Sequence, residues 1–173
     1  KEQVFQLIER TSDKRSDLKF HVLTNAQHFG DDDILRLRSP CFQSVLWGVP
    51  LYSHNKRVHD DIVAKPNAFD TLMKSFSIMA RAGLNIELRT VMLKQNYANL
   101  LELSDLVAAK LPFLEVWAIM QLERIGFAKN RWSAQFINHS SELSLLEASV
   151  ANAEASGIPV ALYNVPTCTV SNS

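Results

Sequence analysis

Strand-like and helix-like patterns alternate along this chain, and that alternation limits its folds more than any other feature. Apolar, β-rich runs occupy residues 20–26 (FHVLTNA), 44–52 (SVLWGVPLY), 85–93 (NIELRTVML), 114–122 (LEVWAIMQL) and 158–165 (IPVALYNV). Between them, residues 69–83 put Leu72, Phe76, Met79 and Ala80 on one helical face and stop at Gly83. Residues 97–112 repeat Leu100, Leu103, Leu106 and Val107 before Pro112, and residues 140–157 run from a Ser140 or Ser141 cap to Gly157. Residues 31–38 are a shorter helical candidate, and Val4, Phe5, Leu7 and Ile8 open the chain at helical spacing. Parallel strands need a crossover between them, usually a helix, so the alternation predicts an α/β protein with a parallel sheet. Several runs are apolar without strict alternation, as expected of strands covered on both faces. An open doubly wound sheet and part of a (β/α) barrel both satisfy the pattern.

Eighteen basic side chains balance eighteen acidic ones, so nothing in the net charge favours a phosphate backbone or an anionic membrane. The apolar runs fall short of the roughly 18 residues that span a bilayer, and the opening KEQVFQLIER lacks signal-peptide order. The expectation is a cytoplasmic chain with no nucleic-acid or membrane partner. No composition shift or linker divides it, and residues 1–173 read as a single domain; the Lys1 start suggests an excerpt from a longer chain. Cys41 and Cys168 are too few for a disulfide framework and too far apart to make a zinc knuckle. The GxGxxG, GxxxxGK[ST] and GxSxG signatures are all missing. Trp47, Trp117 and Trp132 read as packing residues rather than a base-stacking platform.

In either α/β arrangement the ligand site gathers at the carboxyl ends of the strands. That rule brings together Thr24 and Asn25, Tyr52 and Ser53, Arg89 with Lys94 and Asn96, Gln121 and Glu123, and Asn164 with Cys168. Arg89 lies inside a strand, where an unpaired guanidinium is costly, so it needs an anion: Glu123 on the next strand, or the carboxylate of a small ligand. The polar stretch LYSHNKRVHDDIV follows a strand end; His59, Asp60 and Asp61 are adjacent on what reads as a loop, which disfavours a shared metal or acid–base site. Ser53 borders the ligand site in this reading, whereas His59 and Asp60 brace the turn into the following helix.

HVLTNA, VPLYSHNKRVHDDIV, AFDTLMKSF, AGLNIELRTVMLKQNY, FLEVWAIMQLERIGFA and YNVPTC, in this order and spacing, resemble the later strands of radical S-adenosylmethionine (SAM) enzymes over residues 18–168. The branch they resemble is the His-Xaa-Ser-system radical SAM maturases, which modify a small ribosomal peptide carrying His-Xaa-Ser repeats. The resemblance implies a partial (β/α) barrel of about five parallel strands with the first two strands missing. It implies SAM and a 4Fe-4S cluster in the complete enzyme, with Asn25 near the cofactor, Ser53 facing its methionine end, the methionine carboxylate on Arg89, Asn96 in the following turn, and adenine beside Met120, Gln121 and Glu123. Thr24-Asn25-Ala26 stands where the family has Thr-Asn-Gly, so a close backbone approach there is altered.

The family's CxxxCxxC, whose three thiolates bind the cluster, is missing, as is its glycine-rich motif after the second strand. The resemblance then implies the carboxyl-terminal portion of a radical SAM peptide maturase, acting with a partner maturase, with this chain alone inactive and binding neither cofactor. Cys168 is a candidate ligand of an auxiliary cluster. The alternative is a non-catalytic module that recognises a peptide or partner. The strand at 20–26, left without its neighbours, is expected to form a homodimer through its exposed edge.

Overall fold

The computed structural model describes residues 1–166. Its strands are β1 (Phe20–Leu23), β2 (Val45–Pro50), β3 (Asn85–Met92), β4 (Val116–Gln121) and β5 (Val160–Tyr163). They form one sheet in the order β1-β2-β3-β4-β5, and every neighbouring pair is parallel. A doubly wound sheet reverses its strand order at a switch point. This one advances one strand at a time, which is the progression of a (β/α) barrel wall. The protein is therefore an α/β partial barrel with five parallel strands.

Helix α1 (Glu2–Ser12) precedes β1, and the crossovers carry α2 (Ile34–Leu37), α3 (Pro40–Gln43), α4 (Lys56–Val63), α5 (Ala68–Ala82), α6 (Leu100–Lys110), α7 (Ala128–Gln135) and α8 (Leu143–Ala155). α5 stops where expected: Gly83 takes φ +73°, and the N–H groups of Gly83 and Leu84 donate to Ala80 and Met79. α4 lies in the stretch that reads as a loop. Its start is set by Asn55, whose side-chain oxygen accepts from the N–H groups of Arg57 and Val58. α7 gives no sequence signal because it buries no residue and so needs no apolar stripe.

The two faces of the sheet differ. Val45, Trp47, Val49, Ile86, Leu88, Thr90, Trp117 and Ile119 are at most 1% exposed and belong to the helix-covered side. The alternate residues form the inner face of the barrel, which is open. In β1 burial alternates, with His21 and Leu23 exposed, so the expectation of strands covered on both sides does not hold there. A closed barrel fills its interior with layers of side chains; five strands do not close.

Thr90 joins the layers on the covered side. Its hydroxyl donates to the Leu51 carbonyl at 2.7 Å and accepts from the Trp117 indole N–H at 2.9 Å, all in the buried core. Replacing Thr90 by Val preserves shape and leaves both partners unsatisfied. Thr90→Val should lower unfolding stability by about 1–3 kcal/mol per orphaned group, and urea unfolding should show a lower midpoint with an unchanged slope. No loss of midpoint would mean that these bonds contribute nothing net.

Candidate functional site

Strand period and register decide which side chains meet on the inner face. Glu87 and Arg89 are two apart on β3 and so share that face. β2 presents Gly48 opposite Glu87 and Pro50 opposite Arg89, while β4 presents Met120 opposite Val91. Glu87 is 2% exposed, and both its oxygens are engaged. Oε1 accepts a hydrogen bond from Arg89 Nη1, and Oε2 lies 2.9 Å from Nε2 of His21 on β1. The third contact is weaker, Arg89 Nη2 to the Met120 thioether at 3.4 Å.

His21 and Glu87 belong to strands separated by β2, and they touch because β2 has no side chain between them. A Cβ on Gly48 would stand 2.5 Å from Leu23 Cδ2, 3.0 Å from Arg89 Cδ and 3.2 Å from His21 Nε2. The glycine is required by close approach, not by its backbone angles. The anion that Arg89 requires is thus Glu87 of its own strand rather than Glu123, which is exposed beyond β4. The sequence left the partner open because a same-face pair at i, i+2 becomes visible only once the strand's inner face is known.

Towards the carboxyl ends of the strands, a cleft of about 360 Å³ opens above this cluster, lined by Thr24, Asn25, Tyr52, Arg89, Val91 and Met120 among others. Burial pushes the Tyr52 phenol up against the opposing charge of Arg89, so it remains a neutral hydrogen-bond donor. Ala26, where the glycine of the family motif would stand, carries φ +53° while 1% exposed, and its N–H donates to Thr24 Oγ1 at 3.1 Å. The backbone keeps the left-handed turn without glycine, at a cost of about 1–2 kcal/mol. A larger hollow of about 690 Å³ on the outside of α4 is lined by Lys56, Arg57, Asp61 and Lys65 and includes no strand residue.

The seven sequence candidates divide. Asn25, Arg89 and Met120 share the cleft. Ser53 is buried, with its hydroxyl accepting from the Asn55 N–H at 3.0 Å in the turn before α4. Asn96 makes three hydrogen bonds: Oδ1 accepts from the Leu93 N–H, and Nδ2 donates to the carbonyls of Tyr52 and Val91, tying the ends of β2 and β3. Gln121 donates to the Ile137 carbonyl at 3.0 Å and meets His139 Nδ1 at 2.8 Å, holding the segment after α7. Glu123 stands apart, exposed. Sequence reading missed His21, Gly48 and Glu87; the alternation HVL beside NIELR was the available signal.

His59 and Asp60 brace the turn. The buried His59 ring accepts from the Tyr52 N–H at Nδ1, and Asp60 accepts from the N–H groups of Asn67 and Phe69, which hold its pKa below the ordinary range. Among the described residues no group of three or more His, Cys, Asp and Glu side chains could hold a metal. Cys41 is a half-buried free thiol 3.3 Å from Ser39 Oγ, and Cys168 lies outside the described residues. The described residues do not fit a 4Fe-4S cluster.

The fold is that of radical SAM enzymes. A domain of the pyruvate-formate lyase-activating enzyme from Bacteroides vulgatus ATCC 8482 superposes with a TM-score of 0.68 at 13% identity, covering 93% of this chain and 89% of that one. SuiB from Streptococcus suis, bound to S-adenosylmethionine, gives 0.68 at 13% over 92% of this chain and 36% of SuiB; its complex with the precursor peptide SuiA gives 0.66 at 12%, over 92% and 34%. A radical SAM methyltransferase from Sphaerobacter thermophilus gives 0.51 at 16%, over 83% and 40%. This chain therefore spans nearly all of the first domain and about a third of SuiB. No family model and no curated protein matches the sequence. No helix among the described residues is long and apolar enough to cross a membrane.

Burial lowers the pKa of His59, and of His139, below that of a free imidazole. The unfolded chain then binds more protons than the folded one as pH drops below about 6.5. Stability is complete above that value and declines as pH falls towards the folded pKa. The thermal midpoint should be lower at about pH 5 than at pH 7, and His59→Gln should shrink the difference, leaving the His139 share. An undiminished difference in the variant would remove His59 as a cause.

Proposed function

We propose that this chain is the carboxyl-terminal portion of a cytoplasmic radical SAM enzyme that modifies a ribosomally made peptide, working with a partner maturase. The observation that carries this reading is the cleft at the carboxyl ends of β1 to β4, where Arg89 faces Asn25, Tyr52 and Met120 on a sheet of the radical SAM fold. The SAM-bound and SuiA-bound states of SuiB, a structural neighbour, support cofactor and substrate class.

The residues of the cleft suit the amino-acid end of SAM. Arg89 Nη2 is a charged donor resting on a thioether, a weak acceptor, and a ligand carboxylate is a far better one. Asn25 and the neutral Tyr52 phenol add hydrogen bonds at the rim, and Met120 offers a polarizable apolar surface. Ser53, Asn96 and Gln121 act behind them by fixing the strand ends. A 4Fe-4S cluster, held in the complete enzyme by thiolates outside the described residues, would supply the electron for radical chemistry, and this chain's part would be to bind and orient the ligand and exclude water.

The gene's upstream sequence decides between this reading and a peptide- or partner-binding module, since a CxxxCxxC there supports the enzyme and a start codon just before Lys1 supports the module. In the complete enzyme, Arg89→Lys keeps a charge for Glu87 but loses the guanidinium fork. It should weaken S-adenosylhomocysteine binding, measured by calorimetry, by about tenfold, close to 1.4 kcal/mol. Equal affinity in the variant would detach Arg89 from the ligand. The open edge of β1 further predicts a homodimer of this chain by light scattering, and a monomer at high concentration would contradict it.

A further inference from the structure

A second, smaller hollow of about 90 Å³ adjoins the cleft, and Asn25 and Pro50 line both. Its other walls come from the loop after β1 and from α4 and α5, with no residue of β1 itself, so it is built without the edge that a complete barrel would cover. Two polar groups in these walls lack partners. His59 is 2% exposed, and its Nδ1 accepts from the Tyr52 N–H at 3.3 Å. The proton therefore stands on Nε2, and no described residue offers that N–H an acceptor. Burial keeps the ring neutral. Gln27 Nε2 donates to the Ala68 carbonyl at 3.1 Å, which fixes the amide and leaves Oε1 buried with no donor among the described residues. The turn into α4 uses only one nitrogen of His59, so bracing does not account for the other.

Buried polar groups in folded proteins are nearly always bonded. An unmatched donor and an unmatched acceptor in the wall of one small hollow call for a group that supplies both. A carboxamide does so, its carbonyl accepting from His59 and its NH₂ donating to Gln27. A carboxylate only accepts, and it would set a full charge against the Gln27 oxygen. Lys65 does not demand an anion, because it is exposed and stays hydrated. A hydroxyl works from a single atom and would leave most of a space that holds several waters unfilled. Pro50 and Leu72 give the hollow an apolar wall for the methylenes that carry the amide.

We propose that this hollow is a carboxamide subsite, and that it takes an Asn or Gln side chain of the peptide next to the residue held in the cleft; the peptide part rests on the substrate proposed above. The amide replaces water while making the same hydrogen bonds, and no bond is broken or formed.

Propionamide, the size of a Gln side chain, is the probe for this chain alone. At about pH 8, where imidazoles are neutral, it should shift the His59 Nε2 resonance in nitrogen-15 spectra saturably, with the millimolar affinity that so few atoms allow. Propionate and 1-propanol should bind at least about tenfold more weakly. Gln27→Met keeps the length of the side chain, removes the acceptor and should weaken propionamide by about tenfold. Ala68→Val fills the hollow, leaves both polar groups in place and should abolish the shift, which decides the matter if Gln27→Met does not fold. No saturable shift, as for a hollow that holds water only, overturns the subsite. So does an equal response to propionate or 1-propanol, or undiminished binding in a folded variant. In the complete enzyme, peptides with Asn or Gln beside the modified residue should show kcat/KM at least about tenfold above those with Asp or Glu there, and equal use overturns the selective role. If no peptide yields product while propionamide still binds, the peptide reading fails and the carboxamide subsite stands.

Discussion

A carboxylate in the interior of a protein has to be neutralised, and the inner face of this sheet is organised around meeting that need for Glu87. Removing one partner of such a buried pair costs about 3–5 kcal/mol, because the remaining charge is left without water. Glu87 is satisfied from two directions, by Arg89 along its own strand and by His21 across β2. The lateral contact exists only because Gly48 leaves the space empty. One glycine therefore couples three strands, fixes the direction of the guanidinium and places an imidazole on the exposed face.

The opposite face does the structural work that lets the inner face be open. Trp47, Trp117 and the aliphatic side chains of β2 to β4 lie against the helices with almost no exposure, and Thr90 satisfies the Trp117 indole inside that layer. Trp47 is held differently, in T-shaped contact with Phe5 at 6.3 Å and Phe29 at 5.6 Å. With rigidity supplied from the covered side, the strand ends are set by buried polar braces. Asn96 joins β2 to β3, Ser53 and His59 shape the approach to α4, and Gln121 fastens the segment beyond α7. Polar residues at strand ends thus divide into those that face the cleft and those that position them.

Much of the fold was legible. The five strands, α5, α6 and α8 follow from apolar periodicity and from Gly83 at a left-handed cap, because burial of one face imposes a regular spacing on the sequence. α4 and α7 were not read as helices: α4 is short and charged, with its start fixed by the local Asn55 cap, and α7 has no buried face. The site was half legible. The rule that ligands gather at strand ends brought forward Asn25 and Arg89, and the family resemblance added Met120, but the rule equally brought forward Ser53, Asn96 and Gln121, whose hydrogen bonds turn inward to the backbone.

By itself the sequence determined the alternation of strand and helix, the parallel sheet this entails and the absence of an internal thiolate set, since each is a property of residue type and local spacing. Only the tertiary structure decided that the strand order runs straight from β1 to β5, that Glu87 rather than Glu123 neutralises Arg89, and that His21 joins them. Those facts depend on which residues of separate strands stand opposite one another, and register between distant segments is fixed by packing the whole sheet at once.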